Sequence, residues 1–190
     1  MTVVVAVSDG KRVCMACDSQ ATNNGAKSTL SRSSAKIVRV GGTLFGCGHL
    51  TLIDAIRYGL PIDKSYGESS TIPFRWWATN VLVPWLREYL KDRELMDKGA
   101  GGAAEFPSGM LVAHKGEFLL VDKNIGTIGF SEPFSAIGSG WCEARGAMWA
   151  HNLVVGKLAD ADAIACMGVE AAIALDSGCG PPVCLEWTEA

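Results

Sequence analysis

Apolar and polar positions along this chain fall into short blocks, and the blocks come in pairs joined by glycine-containing turns. Residues 2–7 and 12–17 are apolar runs flanking Asp9-Gly10, where a tight turn needs the positive φ that glycine supplies; residues 2–17 therefore read as a β-hairpin. Residues 36–40 and 43–47 repeat the pattern around Gly41-Gly42, and residues 108–113 and 117–121 repeat it around Lys115-Gly116. Short strands are expected at 127–130, 134–137 and 183–187. Helical spacing replaces alternation in four places. Leu52, Ile53, Ile56 and Leu60 mark a helix over 50–59, and Phe74, Trp77, Val81, Trp85, Leu86 and Tyr89 mark one over 71–97. In the latter, Pro73 suits the first turn and Pro84 either kinks the helix or splits it. Two more helices are expected at 141–155 and 161–175, the last with Asp160 as N-cap. Residues 19–34, 61–70, 99–104 and 176–180 read as loops, the first rich in Ser, Thr, Asn and Gly.

The order is strands, two helices, strands, two helices, strand. Antiparallel hairpins with helices gathered in pairs predict an α+β fold, layered with helices outside and sheets facing within. The length of 190 residues fits one domain spanning the whole chain. No G-x-G-x-x-G or P-loop stands between a strand and a helix, so no nucleotide cofactor is expected. A net charge of −3 without a Lys/Arg run argues against a nucleic-acid partner. A mean hydropathy of +0.20 fits a subunit that buries surface against neighbours. No apolar stretch reaches the roughly 18 residues that a membrane span needs. The N-terminus lacks a signal peptide's basic segment and cleavage site, so a cytoplasmic location is expected.

Seven cysteines, an odd number, fit reduced thiols better than a disulfide framework. Cys14-x-x-Cys17 lies on an expected strand, where side chains three apart point to opposite faces and cannot share one ion; no metal site is expected. Trp76, Trp77 and Trp85 read as core or interface packing, since only Arg75 and Arg87 lie near them.

Chemistry-bearing residues gather at strand ends. Removal of Met1 would leave Thr2 with a free α-amine beside its hydroxyl, a nucleophile carrying its own base. Asp18 closes the second strand of the same hairpin. Lys36, Gly138-Ser139-Gly140 and Asp176 stand at the ends of other elements. Singly, each has a bland reading as an edge lysine or a turn residue.

Together they carry a resemblance. Thr2-Val-Val-Val-Ala-Val7, Met15-Ala-Cys-Asp-Ser-Gln-Ala-Thr22, Lys36-Ile37, the turn from Gly46 to Gly48, Ala136-Ile-Gly-Ser-Gly140 and Asp176-Ser-Gly-Cys-Gly180 resemble the proteasome-like family of N-terminal nucleophile hydrolases, meaning proteasome β-subunits and the HslV-type peptidase. The resemblance implies a four-layer αββα sandwich and a threonine-type peptidase. It casts Thr2 as nucleophile, with its amine as proton acceptor, Lys36 as the positive charge beside it, and Asp18 as the partner that aims Lys36. Gly48 becomes the oxyanion donor, and Ser139 and Asp176 support the terminus. Cys179 stands where the family often has a second hydroxyl. The implied partners are a peptide or unfolded protein substrate, other copies of the chain in a homo-oligomeric ring, and, left open, an ATP-dependent unfoldase. No propeptide precedes Thr2, so activation is expected to depend on removal of Met1. On the electrostatic role given to Lys36, Lys36→Ala is expected to lose activity with little loss of stability. Two other readings stay open: a non-catalytic protein that keeps the fold for structure or assembly, and an N-terminal threonine amidohydrolase acting on small amides.

Overall fold

The structure is a computed structural model that describes residues 2–61, 64–67, 71–99, 102–155 and 160–189; Met1 and parts of the expected loops 61–70 and 99–104 lie outside the described residues. In chain order the strands are β1 (Val3–Ser8), β2 (Val13–Cys17), β3 (Gln20–Asn23), β4 (Ala26–Thr29), β5 (Ile37–Val40) and β6 (Thr43–Gly46). Helix α1 (Leu50–Gly59) follows, then α2 (Phe74–Trp77), a π-helical segment Ala78–Leu82 and α3 (Val83–Lys91). Next come β7 (Asp97–Lys98), β8 (Ala104–Glu105), β9 (Met110–His114), β10 (Glu117–Val121), β11 (Thr127–Gly129) and β12 (Phe134–Gly138). Helices α4 (Trp141–Val155) and α5 (Ala161–Leu175) precede the last strand, β13 (Cys184–Trp187).

All the larger pairings are antiparallel, as the hairpin spacing predicts. One sheet runs β12-β1-β2-β13 and the other β11-β10-β9-β6-β5. In the opening hairpin Val4 faces Cys17 and Ser8 faces Val13. Its turn is held by Asp9 Oδ1, which accepts the N–H groups of Lys11 and Arg12 at 2.7 Å each.

Strand β1 sits inside its sheet and is covered on both faces, which explains an unbroken apolar run instead of alternation. Val3, Val5 and Val7 pack with Phe134, Ala144, Met148, Ile164 and Val169, joining this sheet to α4 and α5. The alternate residues Val4 and Ala6 pack with Met15, Leu44, Leu111 and Ala113, between the two sheets. A third cluster joins Phe45, Met110 and Val112 of the second sheet to Leu52, Ile56, Trp77 and Leu86 of α1–α3. Thr2 and Asp18, at the adjoining ends of β1 and β2, are thereby held against two cores at once.

Several expectations need correction. Residues 19–34 are not simply a loop: β3 and β4 pair across Asn24-Gly25, both at positive φ (49° and 84°). Their mostly exposed, mostly polar residues give no apolar alternation, and only the turn was visible in the sequence. The long helix over 71–97 is shorter and interrupted. Pro73 is its N-cap, the π-helical segment stands immediately before α3, and Pro84 lies in the first turn of α3, where its missing N–H costs least. Asp160 holds the N-cap position of α5, but its side chain makes no cap hydrogen bond. Residues 97–98 and 104–105 pair as β7 and β8 within what read as a helix end and a loop. Trp77 and Trp85 are core residues, whereas Trp76 is half exposed.

The second sheet also buries a titratable group. His114, at the end of β9, is 5% exposed, lies edge-on to Tyr66, and places Nδ1 3.1 Å from the Gly42 carbonyl. Burial pushes its pKa below the ordinary histidine value. The fold prefers the neutral ring, so stability is complete above the unfolded value of about 6.5 and is lost as pH falls below it. The melting temperature is expected to drop between pH 7 and pH 5, and His114→Asn, which keeps a donor for Gly42, is expected to flatten that drop. An unchanged slope in the variant would assign the pH dependence to other groups.

Candidate active site

The centre of the site is Asp18, a fully buried carboxylate at the end of β2 with every lone-pair direction engaged. Its Oδ1 accepts the Thr2 hydroxyl at 2.8 Å, the Val3 N–H at 3.0 Å and the Lys36 ammonium at 2.6 Å. Its Oδ2 accepts the N–H groups of Gln20 and Gly180, each at 3.1 Å. Such saturation is what keeps a buried carboxylate from being prohibitively costly. Lys36, 2% exposed at the foot of β5, contributes the compensating charge. The Cys47 N–H bonds to the Lys36 carbonyl at 2.9 Å, which extends the β5–β6 ladder beneath the lysine.

Thr2 is 6% exposed and is gripped along its backbone as well. Its N–H lies 3.0 Å from Ser139 Oγ, and its carbonyl accepts the Gly140 N–H at 3.2 Å and lies 3.3 Å from Ser139 Oγ. Strand β12 ends at this point because Gly138 takes φ +100°, and a Cβ there would lie 2.3 Å from the Thr2 carbonyl oxygen. Only glycine fits both conditions. Gly48 is constrained in the same way: a Cβ on it would fall 1.9 Å from Thr2 Cγ2 and 3.2 Å from Oγ1. The backbone at Gly48 therefore runs directly past the Thr2 side chain.

Asp176 ends α5. The Ser139 hydroxyl first, then the Gly178 N–H at 2.8 Å, holds its carboxyl below the usual range. Cys179 Sγ lies 3.5 Å from Asp176 Oδ2, so a thiol occupies the supporting place expected of a hydroxyl. Asp176 thus reaches Thr2 through Ser139. All six residues singled out in the sequence come together here. Sequence reading missed the three backbone donors Val3, Gln20 and Gly180, because a peptide N–H carries no side-chain signature. The Gly180 position was visible only as part of a glycine-rich turn.

A cavity of about 100 Å³ opens beside Lys36 and Gly48, lined also by Ala21, Leu30 and Leu50. A larger one, about 660 Å³, lies by Ser8, Phe118 and Phe130 at the opposite end of β1, away from Thr2. Among the described residues no group of three or more His, Cys, Asp or Glu side chains is placed to hold a metal ion. No helix among the described residues is long and apolar enough to cross a membrane.

A buried threonine, carboxylate and lysine thus meet at the strand ends of two antiparallel sheets, and the fold that holds them is that of proteasome-like proteins. The chain matches Thiobacillus denitrificans BPH at 26% identity with a TM-score of 0.75, over 100% of this chain and 98% of that one. It matches the same protein in complex with epoxomicin at 24% identity, TM-score 0.72, covering 98% of each chain. HslV from Trypanosoma brucei matches at 24% identity, TM-score 0.68, over 99% of both chains. These likenesses support the HslV/proteasome type as the family of this chain. No protein-family model and no curated protein sequence matches it.

Proposed function

We propose that the chain is a threonine-type peptidase of the proteasome kind, with Thr2 as nucleophile once Met1 is removed. One observation carries this reading: the Thr2 hydroxyl and the Lys36 ammonium meet on a single oxygen of Asp18, while the Thr2 nitrogen rests on Ser139 Oγ. In the full chain that nitrogen is a peptide N–H; freed of Met1 it becomes an amine able to accept the hydroxyl proton. An ordinary α-amine titrates near ~7.7–8.0, and a nearby ammonium favours its neutral, proton-accepting form. Thr2 Oγ1 then attacks the scissile carbonyl, Lys36 stabilises the developing negative charge, and the amine passes its proton to the leaving nitrogen. The Gly48 N–H is the proposed oxyanion donor, because the backbone there passes alongside Thr2. A water then attacks the acyl-threonine carbonyl, the amine taking its proton and returning it to Thr2 Oγ1 as the ester C–O bond breaks and the new carboxyl terminus leaves. Ser139 and Asp176 position the terminus.

The three packed clusters support a four-layer αββα sandwich formed by one domain. A homo-oligomeric ring in the cytoplasm, fed unfolded protein by an ATP-dependent unfoldase, belongs to the same proposal; likeness to HslV supports its general form. The narrow cavity at Ala21, Leu30 and Leu50 is proposed to receive a small aliphatic side chain of the substrate.

The test joins intact mass to activity. Purified protein is expected to lack the mass of Met1, to bind epoxomicin covalently at Thr2, and to cleave peptide amides after Ala or Val faster than after Phe or Trp. Retained Met1 with no labelling would favour the non-catalytic reading. Turnover of small amides without peptide cleavage would favour the amidohydrolase.

A further inference from the structure

Cys17 and Cys184 are opposite one another in the β2–β13 pairing, and neither has a role in the proposed peptidase chemistry. Residues directly opposite in antiparallel strands lie about 4.5 or 5.5 Å apart at Cα, and both distances fall within the roughly 4.4–6.8 Å that a disulfide spans. Their side chains share one face, since Cys17 belongs to the inter-sheet cluster and Cys184 packs against it. Both are reduced in the structure.

Their surroundings differ. Cys17 is sealed at 0% exposure. Cys184 is partly exposed and lines a cavity of about 430 Å³ together with Ser19, Leu30, Arg32 and Glu186. Ser19 Oγ lies 3.2 Å from Cys184 Sγ. We propose that Cys184 and Cys17 form a peroxide-responsive thiol pair, in which Cys184 meets the oxidant in the cavity and Cys17 closes a cross-strand disulfide.

The neighbouring Cys17 side chain pulls the Cys184 thiol below the ordinary range against the effect of burial, with Ser19 and Arg32 adding to the pull. The same pairing and burial raise Cys17. Both shifts favour loss of the proton from the accessible sulfur before the sealed one, the order that peroxide attack followed by resolution requires. In the first step Cys184 S⁻ attacks a peroxide oxygen; the O–O bond breaks, and the departing hydroxide takes up a proton as water, leaving Cys184 sulfenic acid. Cys17 then loses its proton as its sulfur attacks Cys184 Sγ; the S–O bond breaks and a second water leaves. Two thiols supply the two electrons that reduce one peroxide. The bond would form one residue from Asp18, tying β13 to the strand that carries the carboxylate. The inference does not depend on the peptidase reading.

The full-length reduced protein is treated with a small excess of hydrogen peroxide, alkylated and mapped. The expected result is loss of two alkylatable thiols of the seven, a mass lower by about 2 units, a peptide linking Cys17 to Cys184, and full reversal by dithiothreitol. Cys17→Ala is expected to leave a dimedone-reactive sulfenic acid at Cys184, and Cys184→Ser to leave Cys17 reduced. Faster oxidation of the exposed Cys142, or loss of the Cys17 thiol in Cys184→Ser at the wild-type rate, would overturn the proposal. The wild-type map requires no variant to fold.

Discussion

Thr2→Ala is expected to lower peptide turnover by at least about 10³-fold while the protein still folds and assembles. The size follows from the type of loss. A covalent nucleophile has no substitute at its site, because neither Ser139 nor Cys179 has a free amine beside it. The structural cost is modest. Alanine gives up one hydrogen bond to Asp18 and a γ-methyl group, worth about 1–2 kcal/mol, while Asp18 keeps its contacts with Val3, Lys36, Gln20 and Gly180. Turnover and urea unfolding measured on the same preparation separate the two effects. Undiminished turnover in a correctly folded variant would remove Thr2 from the mechanism.

Lys36→Ala is expected to lose both activity and stability, and here the structure revises the sequence-based expectation of little stability loss. Lys36 is not a surface charge aimed at a cleft; it is 2% exposed and pairs with a carboxylate that is 0% exposed. Removing one partner of a buried pair strands the other charge, at a cost of about 3–5 kcal/mol. Lys36→Met, which keeps most of the stem and loses the charge, isolates that cost from the cavity left by alanine. Asp18→Asn is no neutral complement, because an amide nitrogen placed at Oδ2 would face the two N–H donors of Gln20 and Gly180. Urea unfolding of Lys36→Met as stable as wild type would deny the pair a stabilising role. Full turnover in that variant would deny it an electrostatic one.

Much of the candidate site was legible because its residues sit where patterns break. Thr2 begins an apolar strand and Asp18 ends the next, so a hairpin of that length must bring them side by side. Residues 36–47 were readable as a hairpin for the same reason, which put Lys36 at a strand foot and Gly48 just beyond the return strand. The β3–β4 hairpin was not legible, since most of its residues are exposed and it buries no apolar face that would impose alternation. The interruption of the helix at Ala78–Leu82 was half legible: Pro84 announced a break, but the backbone register that absorbs it depends on packing against the second sheet.

The sequence by itself determined the three apolar hairpins, the helix groups and the residue types of the site, because hydrophobic periodicity and turn chemistry are local. Only the tertiary structure decided that five donors converge on Asp18, that Lys36 is sealed with it, and that Gly48 and Gly138 press against Thr2. Those contacts join residues up to 162 positions apart, as between Gly180 and Asp18. Burial and backbone approach at such separations arise from the packing of whole sheets and leave no local trace.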